Sequence, residues 1–366
     1  MNKVYKKLAE KIDQIPNGFP PTDNGVELKL LQKVFSPEDA AFALQLNHVP
    51  ETVDIIAGRI GETVEDTEEI LDSMTEKGQI GSVKHDGQQI YMLYPLVVGL
   101  FEFRLNRIDR EFIDLFEEYM MGAGMVIAGF PPALQRVVPV NQQIKAEHHV
   151  HRYEDLRLRV EEAKAFQVMK CICRINQEIK GTPCKHTYEN CLGFSDEEGA
   201  YDKHTHGRVI TKQEALKIIE DAAAEGLVHC TYNVENGIGT HVCNCCSCCC
   251  GTLNGKKILG SDGAGLITVS NYYAAIDQEE CLACGECEER CPMDTIADKD
   301  GLVSIEKAGC IGCGVCTITC PAEAIMLVRK PESEHEERPP ADMQAWNIQR
   351  AASRGIEYKT EMTDPE

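Results

Sequence analysis

The chain has 366 residues, of which 43% are hydrophobic, so it is long enough for two or three domains with separate cores. Its formal net charge is −22 and no basic patch interrupts it, which argues against binding to nucleic acid or to anionic membranes. No apolar run is long enough to span a membrane, and the first residues lack the apolar core of an export signal. We therefore expect a cytoplasmic protein without membrane insertion.

Residues 26–95 predict a small helical unit that ends in a β-hairpin. Ser36 and Thr63 are placed to cap two helices, and Gly78 is placed to end the second of them. Another helix is expected between these two, and strand-like runs flank the Asp86-Gly87 turn. Three helices followed by a hairpin resemble a winged helix, a common DNA-binding module.

The third helix of this unit makes nucleic acid an unlikely partner. Between Glu62 and Lys77 there are seven acidic residues, and Lys77 is the single basic one. A helix so acidic would be repelled by the phosphates that line a DNA groove. We expect a docking or structural role, and a redox-sensing transcriptional regulator is the alternative.

The middle of the chain carries eleven cysteines between Cys171 and Cys250, six of them in "CNCCSCCC" at 243–250. A helix capped by Thr211 and two strand-like runs separate this cluster from "CICR" at 171–174, so the two motifs are expected to fold back together. In a reducing compartment such clusters indicate metal. The candidate ligands of a third centre are Cys171, Cys173, Cys184, Cys191, Cys243, Cys245, Cys246, Cys248, Cys249 and Cys250.

The nature of this third centre stays open at the level of sequence. A third [4Fe–4S] cluster is favoured, and a zinc or unusual cluster site or metal-free thiols are the alternatives. Neighbouring side chains in "CNCCSCCC" point in different directions, so all six cysteines are not expected to bind one cube. The nearby histidines that could supply nitrogen ligands are His186, His204, His206, His229 and His241.

The strongest signal is a repeat of C-x2-C-x2-C-x3-C-P at 281–292 and 310–321. In such runs the fourth cysteine binds the cluster of the other run, so ligation crosses over. One [4Fe–4S] cluster is then expected on Cys281, Cys284, Cys287 and Cys320. The other is expected on Cys310, Cys313, Cys316 and Cys291. Zinc is the weaker alternative for two complete four-cysteine runs.

These runs resemble a bacterial-type two-[4Fe–4S] ferredoxin domain over residues 277–330, which implies a β-α-β repeat and one-electron transfer at low potential. The chain as a whole resembles a larger group of anaerobe iron–sulfur proteins with a winged-helix-like N-terminus and a CxCR…CNCCxCCC middle region. The predicted fold class is a multidomain α+β protein. Its expected segments are a winged-helix-like docking domain (1–95), a helical connector (96–167), a cysteine-rich domain (168–260), a two-cluster ferredoxin domain (268–330) and a mobile acidic, proline-rich tail (331–366).

Motifs for nucleotide binding, serine hydrolase chemistry and zinc proteolysis are absent from the sequence. The leading hypothesis is an electron carrier, or the electron-transfer subunit of an anaerobic redox complex, rather than a stand-alone enzyme. The acidic chain predicts redox partners with basic docking faces. An oxidoreductase with its active site at the middle metal centre is the second alternative.

Overall fold

The computed structural model describes residues 2–140, 151–203, 206–236, 241–263 and 265–358. It combines helices and strands throughout, which confirms the predicted α+β class. The helices are α1 (Asn2–Asp13), α2 (Val26–Val34), α3 (Pro37–Ala43), α4 (Val53–Ile60), α5 (Val64–Glu76), α6 (Arg110–Ala128), α7 (Leu156–Glu162), α8 (Ile172–Ile179), α9 (Lys212–Ala224), α10 (Gly251–Leu259), α11 (Glu286–Arg290) and α12 (Met343–Ser353).

The strands form one large sheet and three small ones. They are β1 (Glu51–Thr52), β2 (Ile80–His85), β3 (Gln88–Leu93), β4 (Gln135–Val138), β5 (Ala165–Lys170), β6 (Glu189–Ser195), β7 (Gly207–Ile210), β8 (Val228–Tyr232), β9 (His241–Cys245), β10 (Ile267–Thr268), β11 (Tyr272–Ile276), β12 (Ile296–Lys299), β13 (Leu302–Ile305) and β14 (Ile325–Arg329).

The N-terminal unit packs α1–α5 beside an antiparallel sheet of order β1-β3-β2. The predicted caps are confirmed, because the side chains of Ser36 and Thr63 each accept a hydrogen bond from the backbone N–H three residues on. Gly78 follows α5 with a φ of 69°, the left-handed conformation that glycine adopts readily. Helices α1 and α2, for which no prediction was made, contribute Leu8 and Leu30 to the core.

A seven-stranded sheet of order β10-β4-β8-β9-β6-β5-β7 forms the centre of the molecule. All its neighbours are antiparallel except β10 and β4. The segment 96–167 is therefore not wholly helical as predicted, since it supplies β4 and the start of β5. Helix α9, capped by Thr211 as predicted, packs Ala215 and Ile219 on this sheet.

The ferredoxin-like segment follows as two two-stranded antiparallel sheets, β11-β14 and β12-β13, around the cysteine loops and α11. In β11-β14 the first strand of the segment pairs with the last, Tyr272 lying opposite Arg329. The two cysteine runs therefore lie between two strands, β11 and β14, that pair with each other.

The C-terminal segment differs from the predicted mobile tail, because α12 is anchored in the main core. Trp346 is fully buried and donates its indole N–H to the carbonyl of Ala133 at 2.9 Å. The guanidinium of Arg350, also fully buried, donates to the carbonyls of Pro132 at 2.7 Å and Ile127 at 2.8 Å. One aromatic and one cationic side chain thus fix a segment whose composition is typical of disorder.

Across the part of the chain that the structure describes, no helix has both the length and the apolar character needed to cross a membrane.

We predict that Trp346→Ala destabilises the protein by about 3–5 kcal/mol, because it opens a cavity and removes a buried hydrogen bond. The measurement is thermal or denaturant unfolding of anaerobically prepared protein. Ile348→Ala, on the same helix but 44% exposed, is the matched control and should cost less than about 1 kcal/mol. Equal effects of the two substitutions would contradict the anchoring role of α12.

Candidate metal centres

The first ferredoxin-like cysteine set lines one cavity. Three of its cysteines lie before or within α11 and the fourth lies just before β14, yet all four meet at this cavity. Apolar side chains of Ile276, Val303 and Ile325 form part of its wall. Thiolates in an apolar cavity match the donor set of a [4Fe–4S] cluster. The cysteines are Cys281, Cys284, Cys287 and Cys320.

The cysteines of the second set also lie close together, but deeper in the protein than the first set. They are Cys291, Cys310, Cys313 and Cys316. Cys313 and Cys316 are 7% and 6% exposed. Burial raises the pKa of Cys313 to about 12, and the nearby Cys310 and Cys291 add to the effect. Burial likewise raises the pKa of Cys316, and Cys313 together with the same two neighbours adds to that effect. These thiols therefore keep their protons when no metal is bound, and cluster assembly would release those protons.

The two sets differ in what surrounds them. The first set lies at the surface, where Cys284 is exposed and Leu282 is 68% exposed. The second set packs on the central sheet, where the carbonyl of Cys313 accepts a hydrogen bond from the N–H of Val140 at 3.0 Å. Cys313 also shares a buried core with Cys230 and with cysteines of the middle region.

The ten candidate cysteines of the middle region do not form a single site. Cys184 comes together with three cysteines of the turn between β9 and α10, and we call these four the outer group: Cys184, Cys246, Cys248 and Cys249. All four sulfurs lie within 4.8 Å of one another. The Sγ of Cys184 is 3.8 Å from that of Cys246 and 3.6 Å from that of Cys248, and Cys248 and Cys249 are 3.5 Å apart.

These distances match a single tetrahedral metal ion. With metal–sulfur bonds of about 2.3 Å, the sulfurs of a regular tetrahedron lie about 3.8 Å apart. Among the described residues, neither ferredoxin-like set has its sulfurs all within 4.8 Å of one another. That wider spacing is what thiolates bound to different irons of one cluster require.

The remaining six candidates contact one another in series. With Cys230 they form the inner group: Cys171, Cys173, Cys191, Cys230, Cys243, Cys245 and Cys250. The sulfurs of Cys245 and Cys250 are 3.3 Å apart. The pKa of Cys243 is lowered well below the usual thiol range, chiefly because Cys191 and then Cys245 donate hydrogen bonds to it. Mutual hydrogen bonding thus stabilises thiolate character within the group.

Sequence reasoning left Cys230 out of the candidate set. The register of β8 and β9 places it directly opposite Cys243, and it is fully buried. The strand-like pattern around Cys230 was visible in the sequence, but the pairing of β8 with β9 was needed to connect it with the cluster.

Arg174 lies between the outer and inner groups and is fully buried. It donates to the carbonyls of Thr187 at 2.6 Å and Asn244 at 2.9 Å, which fixes its position. Burial opposes its positive charge, but Cys171 and Cys246, when deprotonated, outweigh that effect and raise the pKa of its guanidinium. A permanent cation therefore lies beside Cys171 of the inner group and beside Cys246 and Cys184 of the outer group.

The candidate histidines are mostly engaged elsewhere. His229 hydrogen-bonds Asn244 at 2.6 Å, His206 lies 3.1 Å from the carbonyl of Thr75, and His186 lies 3.5 Å from Glu225. His204 lies outside the described residues. His241 is the histidine that contacts a candidate cysteine, because it hydrogen-bonds Cys243.

Comparison with known proteins supports the iron–sulfur interpretation of the C-terminal part. The family described as 4Fe-4S binding domain matches residues 274–297, which include the first cysteine run. No curated protein and no solved structure matches the chain. The family match and the clustered cysteines together indicate an iron–sulfur protein.

We predict that Gly312→Ala disturbs the second cysteine loop far more than Gly285→Ala disturbs the first. Both glycines have positive φ, 65° and 83°, so alanine costs about 1 kcal/mol at either position. A Cβ at Gly312 would in addition lie 2.2 Å from the Oγ of Ser270 and from the carbonyl oxygen of Tyr272, whereas Gly285 has nothing within 4 Å. Thermal unfolding and iron content of both variants test this, and equal losses would contradict it.

Proposed function

We propose that the protein transfers electrons, as a carrier or as a subunit of a redox complex, through two [4Fe–4S] clusters in its ferredoxin-like segment. A third metal centre in the middle region completes the set. One observation carries this proposal: the first cysteine set lies at the surface and the second is packed against the inner group. When bound, each cluster accepts and donates single electrons, and the surrounding chain determines where they enter and leave.

The surface around the first set is suited to docking a cationic partner. Five exposed glutamates lie within a few residues of its cysteines, and nothing basic lies among them before the partly buried Arg290. Negative charge around an exposed redox site steers basic proteins toward it at low ionic strength. The glutamates are Glu279, Glu280, Glu286, Glu288 and Glu289.

The second set connects the ferredoxin-like segment with the middle region. Arg290, which lies within the first run, donates to the carbonyl of Val315 at 3.0 Å and to that of Ala223 in α9 at 2.9 Å. The hydroxyl of Ser270 donates to the carbonyl of Gly312 at 2.8 Å. Such short, buried contacts hold the second set in a fixed position beside the inner group, which is what efficient electron transfer between sites requires.

We place the third centre at the outer group and propose one tetrahedral ion there, zinc or iron. The sulfur spacing supports a single ion over the third cube that the sequence favoured. Four thiolates around a divalent ion carry a net charge of −2, and Arg174 is placed to offset part of it. Burial raises the pKa of Cys246 to about 12, so binding of the ion would displace thiol protons.

We predict that neutralising acids beside the first set slows electron uptake from a cation. In a stopped-flow experiment, reduced methyl viologen should reduce Glu286→Gln/Glu289→Gln protein several-fold more slowly than the parent at low salt. The difference should largely vanish at high salt, because screening removes long-range attraction. Glu65→Gln/Glu69→Gln, on exposed positions around α5, is the matched control. Equal rates for both double variants would contradict entry at this surface.

We also predict separable metal losses. The parent should hold about eight irons in two clusters and one further tetrahedral ion. Cys184→Ser should lose that ion and keep the eight irons, whereas Cys313→Ala should lose about four irons and keep the ion. Elemental analysis and EPR of anaerobically purified protein measure both. Loss of about four irons from Cys184→Ser would show a cube at the outer group instead.

A further inference from the structure

A cavity of about 500 Å³ lies where the N-terminal unit, the central sheet and α12 meet. It is separate from the cysteine-lined cavity of the ferredoxin-like segment, with which it shares no residue. Its size falls within the range of about 300–1,000 Å³ found for small-molecule sites. We propose that this cavity binds an uncharged aromatic molecule that carries hydroxyl or carbonyl groups.

The lining determines the class of ligand. Aromatic rings of Phe103, Tyr201, Tyr232 and Trp346 contribute to the wall, and none of the lining residues is a lysine, arginine, aspartate or glutamate. A charged ligand would lose its hydration without meeting a lysine, arginine, aspartate or glutamate of the wall. A planar apolar ligand would instead bury its faces against these rings.

An unpaired polar group on the wall calls for a hydrogen-bonding ligand. Gln167 is 3% exposed, and its side-chain oxygen has no hydrogen-bond partner among the described residues. A buried polar group without a partner costs about 1–3 kcal/mol. A ligand hydroxyl that donates to the side-chain oxygen of Gln167 would remove that cost.

The cavity also borders the inner group. His241 belongs to its wall and lies two residues before Cys243 on β9, with both side chains on the same face of the strand. A ligand in the cavity would therefore bind next to the sulfur-rich part of the molecule. Binding itself does not depend on the proposed electron transfer, so failure of one proposal leaves the other testable.

Isothermal titration of the full metal-containing chain with 2-naphthol tests the proposal. We expect one saturable site per chain, together with a change in the emission of Trp346, the only tryptophan. Gln167→Met should weaken binding about 3- to 10-fold, the value of one hydrogen bond. Gln213→Met, on the exposed side of α9, is the matched control and should leave affinity unchanged.

Two further measurements make the outcome decisive. Val83→Phe, which fills part of the cavity, should abolish binding while circular dichroism and cluster EPR stay as in the parent. The anion 2-naphthoate should bind at least 10-fold more weakly than 2-naphthol. No saturable 2-naphthol site, equal binding of the anion, or binding unaffected by both Gln167→Met and Val83→Phe would overturn the proposal.

Discussion

The constraint on which this structure depends is the repulsion between sulfur anions held close together in a protein interior. Each buried thiol must keep its proton, share one with a neighbour or bind a cation. The chain holds its clustered cysteine sulfurs at two different distances from one another. The outer group holds its sulfurs as closely as one ion requires, and the ferredoxin-like sets hold theirs further apart. Sulfur spacing, rather than cysteine number, therefore distinguishes the outer group from the ferredoxin-like sets.

The central sheet is the element that relates these centres to one another. On its strand β9, Cys243 and Cys245 lie on one face with His241, while Asn244 on the other face pairs with His229. The turn after β9 then carries cysteines to the outer group, and Cys250 returns to the inner group as the cap of α10. One short segment thus connects the outer group, the inner group and the aromatic cavity.

The sequence predicts local features well. It predicts less well how distant segments of the chain come together. The spacing of the two runs was sufficient to group Cys313 with Cys316, and single side chains such as Thr63 were sufficient to place helix starts. The equal division of "CNCCSCCC" between two groups depends on strand register and on the direction of the following turn, which are long-range properties. The anchoring of Trp346 is long-range as well, since its indole N–H donates to a carbonyl 213 positions earlier.

The acidic helix α5 shows how contacts in the folded chain change the interpretation of a charged sequence segment. Two of its acidic residues contact other parts of the chain. Glu68 and Asp72 lie 3.1 Å and 3.4 Å from the ammonium group of Lys203, and Asp72 accepts a hydrogen bond from Tyr91 at 2.8 Å. The carbonyl of Thr75 lies 3.1 Å from the ring of His206. This face of α5 thus packs against the middle region, which supports a structural role in fixing the N-terminal unit beside the cavity.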